Sequence, residues 1–595
     1  MKNAIKSIEN FLTYKAPVNI EGFELLEKAQ ENADQAGQVR QPVQSAQTDQ
    51  ARQAGQKNST GNEGVPEGQK GLKKPFSVNK WNVRRSDRHG ENGGTDEVSI
   101  SLDENLQMLK NEFKLPANDD IYIREFRISG GIRAAAAYIE GMADRTVVND
   151  FILRPVMESG RLEDVKEGFA VDVICNYVLT VNNVRKTSNF INDVVTNMLN
   201  GFTVLFVDGC GECILIESRG YEKRSVGKPT TENVIKGAQE AFTENLRTNI
   251  TLIRRIVKNK DLITEIIPVR STNNFSCAVL FIDGITNPEL INEMKRRINS
   301  INTDIISSDG MLEQLIEDRP FTLFPQMLST ERPDRAASFL LDGQVVIVSE
   351  GSPFVMAAPV TVFHLYHTSE DANLKWQFAT ALRLIRILGI LSSALLPGLY
   401  IALTLYHREM IPTELLVSIA RAKESIPFPG LVEVVIMEVS FEVIREAGIR
   451  VPGVIGPTLG IIGALVLGQA AVAANLVSPV LIIIVAVTGL GNFAVPNYSF
   501  ATSIRVLRFL FIFIGCIAGF YGIAACLSII MANMCNLKSF GVPFLSPVAP
   551  QTGKSSDLFV RKPIWQQKER PDYLNTADSK RQPDNARGWR KGREK

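Results

Sequence analysis

Apolar and polar positions divide this chain into three stretches before any single residue is considered. From about residue 30 to 95 there is almost nothing apolar to bury. Between Gln35 and Gln56 every third residue is glutamine, a period that fits neither helix nor strand. From Val98 to about residue 372, short apolar runs alternate between strand and helix periods. From 387 to 534 the chain is mostly apolar, broken by prolines, glycines and a few glutamates. Residues 387–406 form a run of twenty without a charge, long enough for a helix to cross the hydrocarbon of a bilayer.

Each stretch predicts its own architecture. Within residues 1–28, Ile5, Ile8, Phe11 and Leu12 share one face of a short helix, and residues 29–96 read as a disordered, glutamine-rich linker. Residues 97–372 read as a cytoplasmic α/β domain of two subdomains of mixed sheet, with a break near 200. Ser101-Leu-Asp-Glu104 has capping-box spacing ahead of Leu106, Leu109 and Phe113. Strands are expected at 121–128, 203–207, 213–217, 262–269 and 277–282, and helices near 146–157, 189–199, 240–257 and 288–301. Asp342-Gly343, between two apolar runs, predicts a two-residue hairpin. Residues 373–535 read as an all-α multispanning membrane domain with broken helices, its spans near 387–406, 454–474, 477–497 and 506–532. Residues 536–595 form a basic tail.

Charge sets the expected topology. The start of the chain lacks the long apolar core of a secretory signal, so the soluble part is expected to stay cytoplasmic. Residues 554–595 hold 12 Lys/Arg against 6 Asp/Glu, and basic flanks stay on the cytoplasmic side. Both ends inside requires an even number of spans. Arg505 and Arg508 then fall at the outer end of the last span, against the same charge rule. The overall balance, 65 Lys+Arg to 64 Asp+Glu, argues against a nucleic-acid-binding surface.

Between the first and second spans, two apolar pieces, 411–420 and 431–444, flank Glu424-Ser-Ile-Pro-Phe-Pro-Gly430. Pro427 and Pro429 forbid one helix through both, neither piece is long enough to span unaided, and Pro427, Phe428, Pro429 and Gly430 mark a broken helix suited to gating. Glu424, Glu433, Glu438 and Glu442 are the candidates for an ion pathway. Glu438, Glu442 and Glu446 share a helical face from which Glu433 points away. Carboxylates in an apolar membrane segment face a bundle interior, a water-filled cavity or a partner cation. An interfacial helix with its glutamates in water, or glutamates paired with Arg445 and Arg450, would give the same pattern. Pro452, Gly453, Gly456, Pro457, Gly460 and Gly468 supply a small-residue face for close helix packing.

Enzymatic signals are missing. Thr552-Gly-Lys-Ser555 resembles the end of a phosphate-binding loop, but Val548 stands where the leading glycine is needed. Cys210-Gly-Glu-Cys213 has no second pair and no nearby histidine, so it reads as buried or free thiols. His364 and His367 read as structural. No catalytic, metal or cofactor site is expected.

Glu424-Ser-Ile-Pro-Phe-Pro-Gly430 and Glu438-Val-Ser-Phe-Glu-Val-Ile-Arg-Glu-Ala-Gly-Ile-Arg-Val-Pro452 resemble the A subunits of GerA-type spore germinant receptors. So do Phe242-Thr-Glu-Asn-Leu-Arg-Thr-Asn249, Asp318-Arg-Pro-Phe-Thr322 and Glu350-Gly-Ser-Pro-Phe354. The resemblance covers roughly 97–550, and the glutamine-rich insert departs from it. It implies a multi-pass protein of the inner spore membrane with its N-terminal domain and C-terminal tail in the spore core. It also implies a transporter-like B subunit and a lipoprotein C subunit as partners, and a homo-oligomer forming a nutrient-gated cation channel that triggers germination. A related channel partner without its own nutrient-binding subunit, and a non-conducting scaffold, remain as alternatives. A secondary transporter would be expected to show repeated membrane segments, and no such repeat is evident here.

Overall fold

The computed structural model describes residues 97–583 and 586, apart from 164, 166–167, 182, 221–226, 451–462, 464–465 and 553–556. The expected N-terminal helix, the glutamine-rich linker and most of the 454–474 span lie outside the described residues.

The soluble part is built on two five-stranded sheets. In the first, β1 (Ile121–Arg127), β2 (Arg133–Ile139), β3 (Val184–Thr187), β4 (Phe202–Val207) and β5 (Cys213–Glu217) lie in the order β1-β2-β4-β5-β3. Every neighbouring pair is antiparallel. Both faces are covered, which is why residues 134–139 of β2 and, Thr203 apart, β4 are apolar. Ala135, Ala137, Val204 and Phe206 meet α1 (Leu102–Glu112) and the helical segment 190–198 on one face. Ala134, Ala136, Leu205 and Val207 meet helical turns between 147 and 178 on the other.

The second sheet holds β6 (Leu262–Pro268), β7 (Ser276–Ile282), β8 (Leu328–Thr330), β9 (Val345–Ser349) and β10 (Val355–Ala358) in the order β8-β10-β9-β7-β6, again all antiparallel. One face packs on α2 (Leu246–Ile256). The other packs on α3 (Pro288–Ser300) and α4 (Asp309–Ile316). A buried cluster joins the two sheets: Arg254 of α2 donates to Asp120 Oδ1 (2.8 Å), Asn118 Oδ1 (3.1 Å) and Leu262 O (2.8 Å).

Four expectations need correction here. The sheets are antiparallel rather than mixed. A break near 200 would separate β2 from its partner β4, so the division falls after Glu217. Asp342-Gly343 ends a helix, α5 (Pro333–Asp342), because Gly343 takes φ +98° and its N–H, with that of Gln344, satisfies the last carbonyls. Ser101 does stand before α1, but its side chain makes no cap; Asp208 Oδ1 accepts from Leu102 N at 3.0 Å instead.

Two short helices, α6 (Val362–Tyr366) and α7 (Ser369–Asn373), lead into the apolar half. It comprises α8 (Trp376–Leu405), α9 (Thr413–Glu424), α10 (Gly430–Arg450), α11 (Pro479–Phe493) and α12 (Tyr498–Asn536). Among the described residues, α8 and α12 are the helices both long and apolar enough to cross a membrane. Here the fourth expected span is corrected: 506–532 is not one straight crossing. Gly519 takes φ +60°, ψ −146°, a conformation closed to residues with a Cβ, and divides α12. The halves then run antiparallel. Leu507 and Phe511 join Ile523 and Cys526 in one cluster, and Phe500 and Ile504 join Met534 in the core of the second subdomain. Tyr406, at the far end of α8, donates to Cys516 O (2.7 Å) beside this bend. Arg505 and Arg508 consequently lie in the half of α12 that starts at the domain, since Phe500 and Ile504 just before them are in its core.

Beyond α12 the chain returns to the second subdomain. Phe540, Val542, Tyr573 and Leu574 are buried against the α3 face. Arg383 of α8 pairs with Asp371 (3.2 Å) and with Asp557 of the tail (2.8 Å), and Arg561 donates to Leu374 O (2.7 Å). Residues 557–574 of the tail are thus built into the domain as a strap.

Two measurements test these features. In a bilayer, Cys535 and a cysteine placed at Tyr498 are expected to react with an impermeant thiol reagent from the same side; labelling from opposite sides would contradict the hairpin. The strap is held by neutral histidines. His364 Nδ1 accepts from Thr361 N (3.1 Å), so its Nε2 donates to Tyr573 Oη (3.3 Å), and His367 Nε2 donates to Leu558 O (3.0 Å). Burial pushes His364 down to about 4 and His367 well below 6.5. The undocked state binds protons first, so docking weakens as pH falls from 6.5 towards 4, by up to about 1.4 kcal/mol per pH unit for each histidine. Hydrogen exchange of residues 557–574, corrected for intrinsic rates, should speed up across that window; unchanged protection would refute it.

Candidate functional site

The candidate ion-pathway residues lie on α9 and α10, and proline decides where those helices begin and end. Pro427 and Pro429 cannot continue α9, and Pro429 O accepts from Val432 N (2.9 Å) and Glu433 N (3.2 Å), opening α10 at Gly430. Pro427, Phe428 and Pro429 are exposed on this link, as is Glu424 at the end of α9. At 21 residues, α10 is about 31 Å long. That matches the hydrocarbon thickness of about 30 Å, so this piece is longer than its apolar run implied.

The buried stripe of α10 is Glu433, Val434, Met437 and Glu438. Glu433 therefore faces the bundle with Glu438, contrary to the expectation that it points away, because the stripe meets α11 near its start and α8 and α12 further along. Glu433 Oε2 accepts from Ser478 N (3.2 Å) at the N-terminus of α11, where a negative charge is favoured. Lys423 stands near this point, its Nζ 5.7 Å from the centre of the Tyr400 ring.

Deeper in the bundle, Glu438 Oε2 meets Arg508 Nη1 at 2.6 Å, with side-chain exposures of 0% and 4%. The same guanidinium donates through Nε to Ser393 O and through Nη2 to Ser393 Oγ, both at 2.8 Å. One arginine of α12 thereby ties α10 to α8. One turn on, Glu442 pairs with Arg445 on its own helix and lies 3.6 Å from Arg505 of α12. Glu446 is exposed and holds Arg450 at 2.8 Å.

Sequence reasoning anticipated the local partners Arg445 and Arg450 and missed the long-range ones, Arg505, Arg508 and Ser393. A signal was present: two arginines three apart in an apolar helix need acids across the bundle. The close helix approaches also differ from those expected. Gly389 and Gly491 bring α8 against α11, and Gly398 and Gly515 bring α8 against α12, where a Cβ on either would meet backbone oxygen at 2.6–3.0 Å. Gly468 packs near Ile482 of α11. Pro452, Gly453, Gly456, Pro457 and Gly460 lie outside the described residues.

Residues 107–573 match the family described as Bacillus/Clostridium GerA spore germination protein. The chain is 38% identical over 488 residues to spore germination protein KA of Bacillus subtilis (strain 168), covering 82% of this chain and 89% of that one. It is 36% identical over 487 residues to the uncharacterized membrane protein YfkQ of the same organism, covering 81% and 93%. The crystal structure of the N-terminal domain of the A subunit of the Bacillus megaterium spore germinant receptor GerK3 matches at 31% identity and a TM-score of 0.36, covering 44% of this chain and 96% of that one.

Arg508→Ala would leave Glu438 buried and unpaired, and is expected to lower thermal stability by about 3–5 kcal/mol. The double variant Glu438→Gln with Arg508→Met should recover most of that loss. Equal stability of the single variant and the parent chain would show that the pair is not buried as described.

Proposed function

The chain belongs to the GerA family of spore germination proteins, and from that premise we propose that it is the A subunit of a nutrient-germinant receptor that oligomerises in the inner spore membrane and forms a nutrient-gated cation channel. A transporter-like B subunit and a lipoprotein C subunit are its proposed partners, with nutrient bound elsewhere in the complex. The directions of the described helices support a multi-pass arrangement. α8 leaves the soluble domain, α10 and α11 return towards it, and α12 goes out and back at Gly519. Both the soluble domain and the strap then lie on one side, proposed to be the spore core.

The observation that carries the channel reading is the Glu438–Arg508–Ser393 joint. In this state Glu438 is held by Arg508 of α12 and Glu442 by Arg445 and Arg505, so neither of these two carboxylates is free to receive a cation. We assign this arrangement to the closed channel. Nutrient binding would favour a state in which α10 parts from α12, exposing Glu438 and Glu442, while the Pro427–Pro429 link lets α10 move without dragging α9. Such a shift requires the ligand to bind the open state more tightly, with each 1.4 kcal/mol of difference worth about tenfold.

Ion flux tests this reading. In the reconstituted complex, wild type is expected to release K⁺ or Na⁺ only with nutrient. Arg508→Gln, which weakens the joint and keeps the acid, should leak without nutrient at least tenfold above wild type, about 1.4 kcal/mol of bias. Glu438→Gln and Glu442→Gln should alter ion preference once the channel is open. An assembled, nutrient-binding complex that passes no ions would favour the scaffold alternative.

A further inference from the structure

The motif Asp318-Arg-Pro-Phe-Thr322 plays no part in the site above, yet it is held with unusual firmness. Asp318 Oδ1 meets Arg297 at 2.6 Å, and its Oδ2 accepts from Phe540 N at 2.6 Å. The side chain of Gln326, itself fully buried, closes the loop from the other end: its Oε1 accepts from Arg319 N (3.0 Å) and its Nε2 donates to Arg319 O (2.8 Å). Leu323 O accepts from Ser503 Oγ on the second turn of α12. Phe324 stacks obliquely on Phe500 and Phe544, with ring centres 6.3 and 6.0 Å apart.

Between these anchors the loop presents an apolar tip. Phe321 is 94% exposed and Leu323 46%. On α4, just before the loop, Met311 and Leu315 stand one helical turn apart and are also exposed. Arg319 is exposed beside them. A rigidly mounted phenylalanine has no route back into the domain, so its ring waits for another surface. Its position identifies which one. Phe324 packs against the cluster that Ala394 of α8 and Ile530 of α12 also join, so the loop is mounted beside the two helices long and apolar enough to cross a membrane.

We propose that the 318–324 loop dips into the headgroup boundary of the bilayer, with Phe321 and Leu323 among the upper acyl chains and Arg319 against anionic headgroups. An aromatic and an aliphatic side chain next to a cation is the composition that partitions into a lipid interface. The loop would fix the height of the soluble domain relative to the feet of α8 and α12. This inference rests on the membrane reading of those helices.

The test uses the full chain in vesicles of phosphatidylglycerol and acyl-brominated phosphatidylcholine. Phe321→Trp is compared with Phe513→Trp, an exposed position on the apolar surface of α12, after subtraction of the signal from the four native tryptophans. The new indole at 321 is expected to lose most of its emission in brominated lipid, to shift to the blue and to resist aqueous iodide. Loss at 513 with full emission and iodide quenching at 321 would overturn the loop proposal and leave the membrane reading standing. Shielding at 321 from both quenchers would overturn it in favour of a protein contact. No lipid quenching at either position would overturn the membrane reading and the loop proposal together.

Discussion

A guanidinium and a carboxylate withdrawn from water each lose several kcal/mol of hydration, and their attraction offsets that loss only when the geometry is good and the remaining donors are satisfied. Arg508 uses all three of its nitrogens, Nη1 towards Glu438 on α10 and Nε and Nη2 towards the carbonyl and the hydroxyl of Ser393 on α8, while Glu438 Oε1 finds no hydrogen-bond partner among the described residues. The arrangement of the apolar half depends on it. Glycines without side chains let α8 lie directly against α11 and α12, and the arginine registers α10 on that platform. A pair of this kind contributes less net stability than specificity. It makes one packing of α10 strongly preferred, and losing that packing leaves two buried charges in need of new partners.

The soluble domain and the bundle share a hydrophobic core. Phe500, Ile504 and Met534 of α12 sit in the same cluster as Leu262, Leu280 and Val346 of the second sheet, and Arg383 at the root of α8 is held between Asp371 of the domain and Asp557 of the strap. A displacement of α8 or α12 is therefore felt at the sheet, and the sheet resists it because close-packed interiors switch between arrangements rather than bending gradually. The strap closes the loop mechanically by returning residues 557–561 to the root of the first long helix.

Much of the architecture was legible because local patterns agreed with tertiary ones. Strands β4, β5, β6 and β7 announced themselves as largely apolar runs, whereas the buried β2, with its four consecutive alanines, and β10 did not, and the proline pair at 427 and 429 stands between α9 and α10. What else was not legible turned on single residues whose meaning is set at a distance. Gly519 is one glycine in an apolar run, and nothing local distinguishes a helix interior from a reversal there. Asp342-Gly343 has the composition of a hairpin turn and of a helix end alike, and Pro333 at the start of α5 tipped it to the second. The partner of Glu438 lies 70 residues downstream, and the other anchor of that arginine, Ser393, lies 115 residues before it. No helical spacing on α10 could reveal them.

The most direct test is the distance between α10 and α12 in the working complex. Spin labels at Val439 and Leu510, exposed positions on the two helices, would be followed by pulsed electron paramagnetic resonance with and without nutrient, in a chain whose native cysteines are replaced. The account predicts one short distance at rest, and a longer population that grows with nutrient in parallel with ion flux. An unchanged distance while ions flow would show that the Glu438–Arg508 joint stays closed during conduction, and the gate would have to lie elsewhere.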